Sequence, residues 1–265
     1  PTGESGDFEK ANFPIGVEGG KTSTCPTQNL MEAYDMKDGT PFVWNNQSNP
    51  YDNRDPRMKY TIVCNEMKWP VDPVEIWEGG TNGLPLQNAT TTGYYLKKYV
   101  NNTISFEAGS TVTKKQHNWV LFRYGEILLN YAEAMINAFH DPNYKDAVYN
   151  MSAREAVNQI RGRTNISLPG FPSDITEKDF VKRLKNERRV ELAFEGHRFW
   201  DVRRWKELGQ TANIYGVKIT KNNEVISYEK FLLETRAVTD NMYFYPIPNT
   251  ERFKNPNLGQ NPGWK

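Results

Sequence analysis

The chain is poor in the residues that carry most enzyme chemistry. It has two cysteines and three histidines in 265 residues. Two cysteines are too few for a disulfide scaffold. Cys64, inside the apolar run YTIVCNEM, reads as a buried free thiol, with a Cys25–Cys64 bridge as the alternative. His117, His140 and His197 never fall three or four residues apart, none lies near a cysteine, and neither H-E-x-x-H nor C-x-x-C occurs, so no zinc site is expected. An EF-hand pattern is missing too. There is no G-x-S-x-G elbow, no P-loop and no G-x-G-x-x-G after a strand. No catalytic residue and no cofactor is implied. Charge of one sign is also lacking: 33 basic against 32 acidic residues leave +1, which gives no field for nucleic acid. No run approaches the roughly 18 apolar residues of a spanning helix, and mean hydropathy is -0.75. The chain opens on PTGESGDFEK, without the charged start and apolar run of a signal peptide, so it is expected to be a piece of a longer protein.

Aromatic rings make up 13% of the chain, enough to build a core and leave rings for a surface. Residues 1–27 read as loop. Thr27 can cap a short helix in PTQNLMEAYDM, and MKYTIVC and GYYLKKYV read as strands. The stretch between them, 65–92, is loop-like. From Asn118 the period becomes helical, with Leu121, Tyr124, Leu128, Tyr131, Ala132 and Met135 on one stripe. Ser152 and Glu155 form a capping-box pair ahead of a second helix that ends at Gly162. The two make an αα-hairpin, and LLNYAEAMINAF looks like the first helix of a tetratricopeptide repeat. A third helix starts at Thr176, Gly196 interrupts it, and HRFWDVRRWKELG resumes. On these helix stripes Trp119, Trp200 and Trp205 are expected in the core. YGVKIT and EVISYE read as strands, and an extended, Pro- and Asn-punctuated tail closes the chain. The fold class is mainly α with irregular loops and a few short strands.

The densest segment is ERRVELAFEGHRFWDVRRW, residues 187–205. It holds four acids, six basic side chains counting His197, and four aromatics in nineteen residues. A glycosidase pair needs carboxyls roughly 5–9.5 Å apart, flanking the bond from opposite sides. Glu187 and Glu191 project from one helix. The expectation is therefore structural: Arg183, Arg188, Arg198 and Arg203 pairing at i,i+4 with Glu187 and Glu191 and lying close to Glu195 and Asp201, with guanidinium groups stacked on Phe199, Trp200 or Trp205.

These residues resemble the SusD/RagB family of outer-membrane glycan-binding lipoproteins. The likeness rests on PTQNLMEAYDMKDG, NRDPRMKYTIV, TGYYLKKYV, LFRYGEILLNYAEAMI, VNQIRGRTNI, the 187–205 segment and YFYPIPNTERFKNPNLGQNPGW, in that order. The 187–205 segment is the most specific, and the resemblance makes Glu187, Arg188, Glu191, Glu195, Gly196, Arg198, Trp200, Asp201, Arg204 and Trp205 a structural signature that fastens the last long helix to the repeat helices. It implies tetratricopeptide-like helices packed with a loop-rich C-terminal SusD-type domain, residues 1–265 being that portion. The signal peptide, lipid-anchor cysteine and further repeat helices of such proteins would lie upstream. It also implies a non-catalytic role at the cell surface: capture of a glycan for a TonB-dependent transporter of the SusC type, with membrane attachment only through the lipid anchor.

Sugars present flat CH faces rimmed by hydroxyls, so a reader of sugars sets rings on loops and amides, carboxylates or guanidiniums at their edges. The candidates are Trp44, Trp69, Trp77, Phe13 and Phe8. Trp69 and Trp77 flank two prolines in KWPVDPVEIWEGG, and Trp44 sits beside Asn45, Asn46, Gln47 and Ser48. Two other readings compete. A helical-repeat scaffold binding a peptide or protein would need a concave helix surface. A hydrolase would need loop carboxylates such as Asp52, Asp55, Asp72, Glu75 and Glu78.

Overall fold

In the computed structural model, which describes residues 4–45, 49–107 and 113–265, the helices begin where side chains cap them. Thr27 Oγ1 accepts the Leu30 N–H at the start of α2 (Gln28–Met31), which follows a short α1 (Asp7–Asn12). Asp55 caps α3 (Pro56–Thr61), with proline at the first helical position, where its missing N–H costs nothing. MKYTIVC is therefore mostly the end of a helix. Only β1 (Ile62–Val63) remains extended, pairing antiparallel with β2 (Tyr95–Leu96). The helix expected from Asn118 starts later, as α4 (Tyr124–Phe139). Arg123 keeps an extended backbone there because its guanidinium is held by Glu191 and Glu195. Leu121 is consequently 80% exposed, off any helix, rather than in the core stripe.

The capping box is present at α5 (Ala153–Arg161): Ser152 Oγ accepts the Glu155 N–H at 3.2 Å, and Glu155 accepts the Ser152 N–H at 2.8 Å. Ser152→Ala should cost about 1 kcal/mol, read as a lower urea midpoint at unchanged slope. Thr176 caps α6 (Glu177–Glu191). Gly196, at φ 82°, then reverses the chain into α7 (His197–Arg204), a backbone geometry that disfavours a side chain. The two expected strands follow as the antiparallel hairpin β3 (Asn213–Asn222) and β4 (Val225–Thr235). The tail carries a last short helix, α8 (Asn249–Lys254).

Two cores form. Met31, Tyr34, Met58, Ile62, Tyr94 and Tyr95 pack with Val217, Ile219 and Tyr228 of the hairpin. Leu129, Ala132 and Ile136 of α4, Ala156 and Ile160 of α5, and Phe180 and Leu184 of α6 make the second. The αα-hairpin is thus built as expected, and the chain is mainly helical with few short strands. Both cysteines are free. Cys64 lies in the first core, where burial pushes its thiol up to about 12.

Candidate functional site

Helix α1 and the loops before and after β2 are tied to one another by buried polar side chains. Glu9 is fully buried and accepts from the Asn101 N–H at 2.9 Å and pairs with His117 Nε2. Asn82 donates to the Ile15 carbonyl at 2.6 Å and accepts the Glu75 N–H at 2.8 Å. The Trp69 backbone N–H donates to the Asp72 carbonyl at 2.8 Å, closing a tight turn. These ties frame a cleft of about 650 Å³, walled by Phe13, Trp69 and Phe106 and rimmed by Asp72, Asn102, Thr103 and Ser105. Phe106 meets Phe13 edge-on at 6.0 Å and lies against Gly6 and Gly19, where a Cβ would approach the ring within 3.1 and 2.9 Å. The indole N–H of Trp69 is buried and meets no acceptor among the described residues.

The five proposed rings are not gathered in one place. Phe13 and Trp69 share the cleft, but Phe13 is 1% and Trp69 7% exposed, so neither offers an open face for stacking; both also complete the first core. Trp44 lies edge-on to Phe42 at 6.4 Å, half-buried, and Asn46, Gln47 and Ser48 beside it fall outside the described residues. Trp77 is half-buried with Lys221 Nζ 4.6 Å from its ring centroid. Phe8 is half-buried and braces Trp119 edge-on at 5.4 Å.

Two rings were missed. Phe106 stands in SFEAGS with no periodic signal. Trp119 is 59% exposed, because the segment before α4 is extended rather than helical; Phe8 and Tyr99 support it from below. Trp200 is likewise outside the core, 58% exposed, in contact with Phe199 and Tyr245. α7 buries only Asp201 and Val202, since Asp201 must reach Arg188 and Arg204, and the ring-bearing side turns outward. Trp205 is half-buried, with its N–H on Glu133 and Arg204 over its ring.

The acidic–basic segment forms an ionic layer between the two cores, and the partners of its three glutamates are distant in sequence. Glu187 binds Arg57 at 2.5 Å and Arg161 at 2.7 Å. Glu191 binds Arg57, Arg123 and Arg163 at 2.7–2.9 Å. Glu195 takes Lys98 and Arg123, both at 2.6 Å. Arg188 pairs with Asp201 at 2.8 Å, and Arg204 with Asp201 and Glu133. The expected i,i+4 pairs of Glu187 and Glu191 do not form, because both carboxylates turn inward to Arg57 of α3, Arg161 of α5, Arg123 and Arg163, whereas Asp201 does pair with Arg188 as expected. Arg203 does stack on Phe199, at 3.4 Å. Arg198 meets the neutral Gln210 instead of a carboxylate. Burial alone would raise Glu191, yet Arg57, Arg123 and Arg163 pull it down to about 2. A carboxylate so engaged is a poor proton acceptor at neutral pH. Among the described residues no group of acids, cysteines and histidines could hold a metal ion.

The sequence profile of the SusD family matches residues 4–264. Curated relatives include SusD-like protein P38 of Formosa agariphila, 37% identical over 150 residues (54% of this chain, 24% of that protein). SusD-like protein P2 of the same organism is 29% identical over 163 residues, 59% of this chain and 28% of that protein. A SusD-like protein from Bacteroides fragilis superimposes over 99% of this chain and 53% of its own, with TM-score 0.78 and 26% identity. A SusD-like carbohydrate-binding protein from the same species covers 95% of this chain and 51% of its own, with TM-score 0.73 and 25% identity. The chain therefore spans about half the length of those solved structures and matches about a quarter of the curated relatives. From the match over nearly every residue and the shared fold, the chain belongs to the SusD family.

Proposed function

We propose that the chain binds a glycan without transforming it, as part of a surface lipoprotein of the outer membrane that passes the glycan to a TonB-dependent transporter of the SusC type. The cleft beneath Phe106 carries this reading. It combines apolar ring walls with a rim of amides, hydroxyls and the carboxylates of Glu18, Asp72 and Glu107. The carbohydrate-binding relative from Bacteroides fragilis supports it. The non-catalytic part of the reading is supported by the carboxylates: Asp55, Glu187 and Glu191 are committed to Arg57. No helix among the described residues is long and apolar enough to cross a membrane. Ring contacts and wet hydrogen bonds of this kind suggest a Kd in the micromolar-to-millimolar range, about -8 to -4 kcal/mol.

Affinity electrophoresis against a panel of polysaccharides tests it. At least one polymer should retard the protein, and Phe106→Ala should weaken that retardation about tenfold, roughly 1.4 kcal/mol. Trp69→Phe, which keeps the ring and removes the N–H, should weaken it less. Trp44→Ala and Trp77→Ala tell whether those half-buried rings extend the site. Retardation untouched by Phe106→Ala and Trp69→Phe, with folding intact, would move the site away from the cleft. A panel with no retardation at all would sink the glycan reading.

A further inference from the structure

Lys178, Lys182, Lys185 and Arg189 recur at intervals of four, three and four, so the helical period sets them on one face of α6. That face lines a cavity of about 470 Å³, closed by Arg198 of α7 and by the 32–42 segment with Phe42. The size is within the ordinary range of small-molecule sites, about 300–1,000 Å³. The carboxylates of its wall are already taken: Glu207 by Lys185 at 2.5 Å, Glu32 by Lys230 at 2.7 Å, Asp35 by Arg161 at 3.3 Å, and Glu187 by Arg57 and Arg161. Among the described residues Lys178, Lys182, Arg189 and Arg198 pair with none. Arg189 donates only to the Asn29 carbonyl at 2.7 Å and Arg198 only to Gln210 Oε1 at 2.8 Å, both neutral acceptors.

We propose that this cavity is an anion site, which takes the carboxylate or sulfate group of an acidic sugar between Arg189 and Arg198, with Lys178 and Lys182 at its mouth. Two guanidiniums with free N–H groups match the planar, bidentate geometry of such oxyanions. The electrostatics run the same way. Burial first, and Arg198 beside it, pull Arg189 down to about 10, and burial lowers Arg198 as well. A bound anion would relieve both. The sugar part of this assignment rests on the glycan-binding reading; the anion part rests on the cavity alone.

Calorimetric titration of the full chain with sodium glucuronate, a sulfated monosaccharide, sodium sulfate and glucose, at ionic strength matched with sodium chloride, tests the site. An acidic sugar should bind, glucose should not, and Arg198→Gln should weaken the acidic sugar tenfold or more. Lys182→Gln, at the exposed end of the stripe, should weaken it several-fold even if Arg198→Gln fails to fold. No binding of any anion beyond matched chloride overturns the site. Inorganic sulfate binding as tightly as the sulfated sugar overturns its assignment to saccharides. Retardation of the same preparation by a neutral polysaccharide shows that such a failure belongs to this cavity and not to the carbohydrate reading.

Discussion

Replacing Arg57 by methionine is expected to lower the unfolding free energy by about 3–5 kcal/mol, a large part of the total for an ordinary domain. Arg57 is buried and donates to three carboxylates: Asp55, Glu187 and Glu191. Glu187 would keep Arg161, and Glu191 would keep Arg123 and Arg163. Asp55 would keep only backbone N–H contact, and the net charge of the buried layer would fall by one. The cost comes from the carboxylates left behind, not from the worth of the ion pairs, since pairing offsets a comparable desolvation penalty. A second substitution separates the two. Glu187→Gln in the Arg57→Met background should recover part of the loss in urea denaturation. An unchanged midpoint in Arg57→Met would show that the ionic layer does not hold the two cores together.

The same layer is expected to make the protein acid-labile. Glu191 is held from an ordinary 4.5 down to about 2. Glu187 is lowered by Arg57 and Arg161, and Glu195 by Arg123 and Lys98, in each case against a burial effect that by itself would raise it. A carboxyl depressed in the folded state contributes stability that is present above its unfolded value and lost as pH falls through the folded one. Glu191 alone would contribute about 3 kcal/mol at neutral pH, lost between roughly pH 5 and pH 2. Asp35 works in the other direction. Burial raises it, so its small contribution favours acid and offsets some of the loss. Urea midpoints measured from pH 7 to pH 2 should therefore fall steeply below about pH 5 and less steeply in Glu191→Gln. A profile that stays level down to pH 3 would refute the assignment.

Much of the helical half was legible in the sequence. Ser152 with Glu155, Thr176 and Thr27 mark helix starts by local hydrogen bonds that need no distant partner. The Asp55–Pro56 pair carried the same kind of signal for α3, and the alternation of MKYTIVC obscured it. DFEKAN was too short and polar to show a period, so α1 went unread. The basic stripe of α6 was also present in the sequence, but a charge run alone reads as a solvated face, and only the cavity beside it gives it meaning. The candidate rings fared unevenly. A tryptophan's sequence neighbours do not tell whether its face is open, as at Trp119, or buried, as at Trp69.

The sequence by itself determined the caps, the αα-hairpin, the break at Gly196 and the family signature, because these depend on residues within a few turns of one another. Only the tertiary structure decided which base meets which acid and which ring meets solvent. Arg57 and Glu187 stand 130 positions apart, and a charged side chain buried between two cores takes whichever partner satisfies it at that depth, not the neighbour one helical turn away.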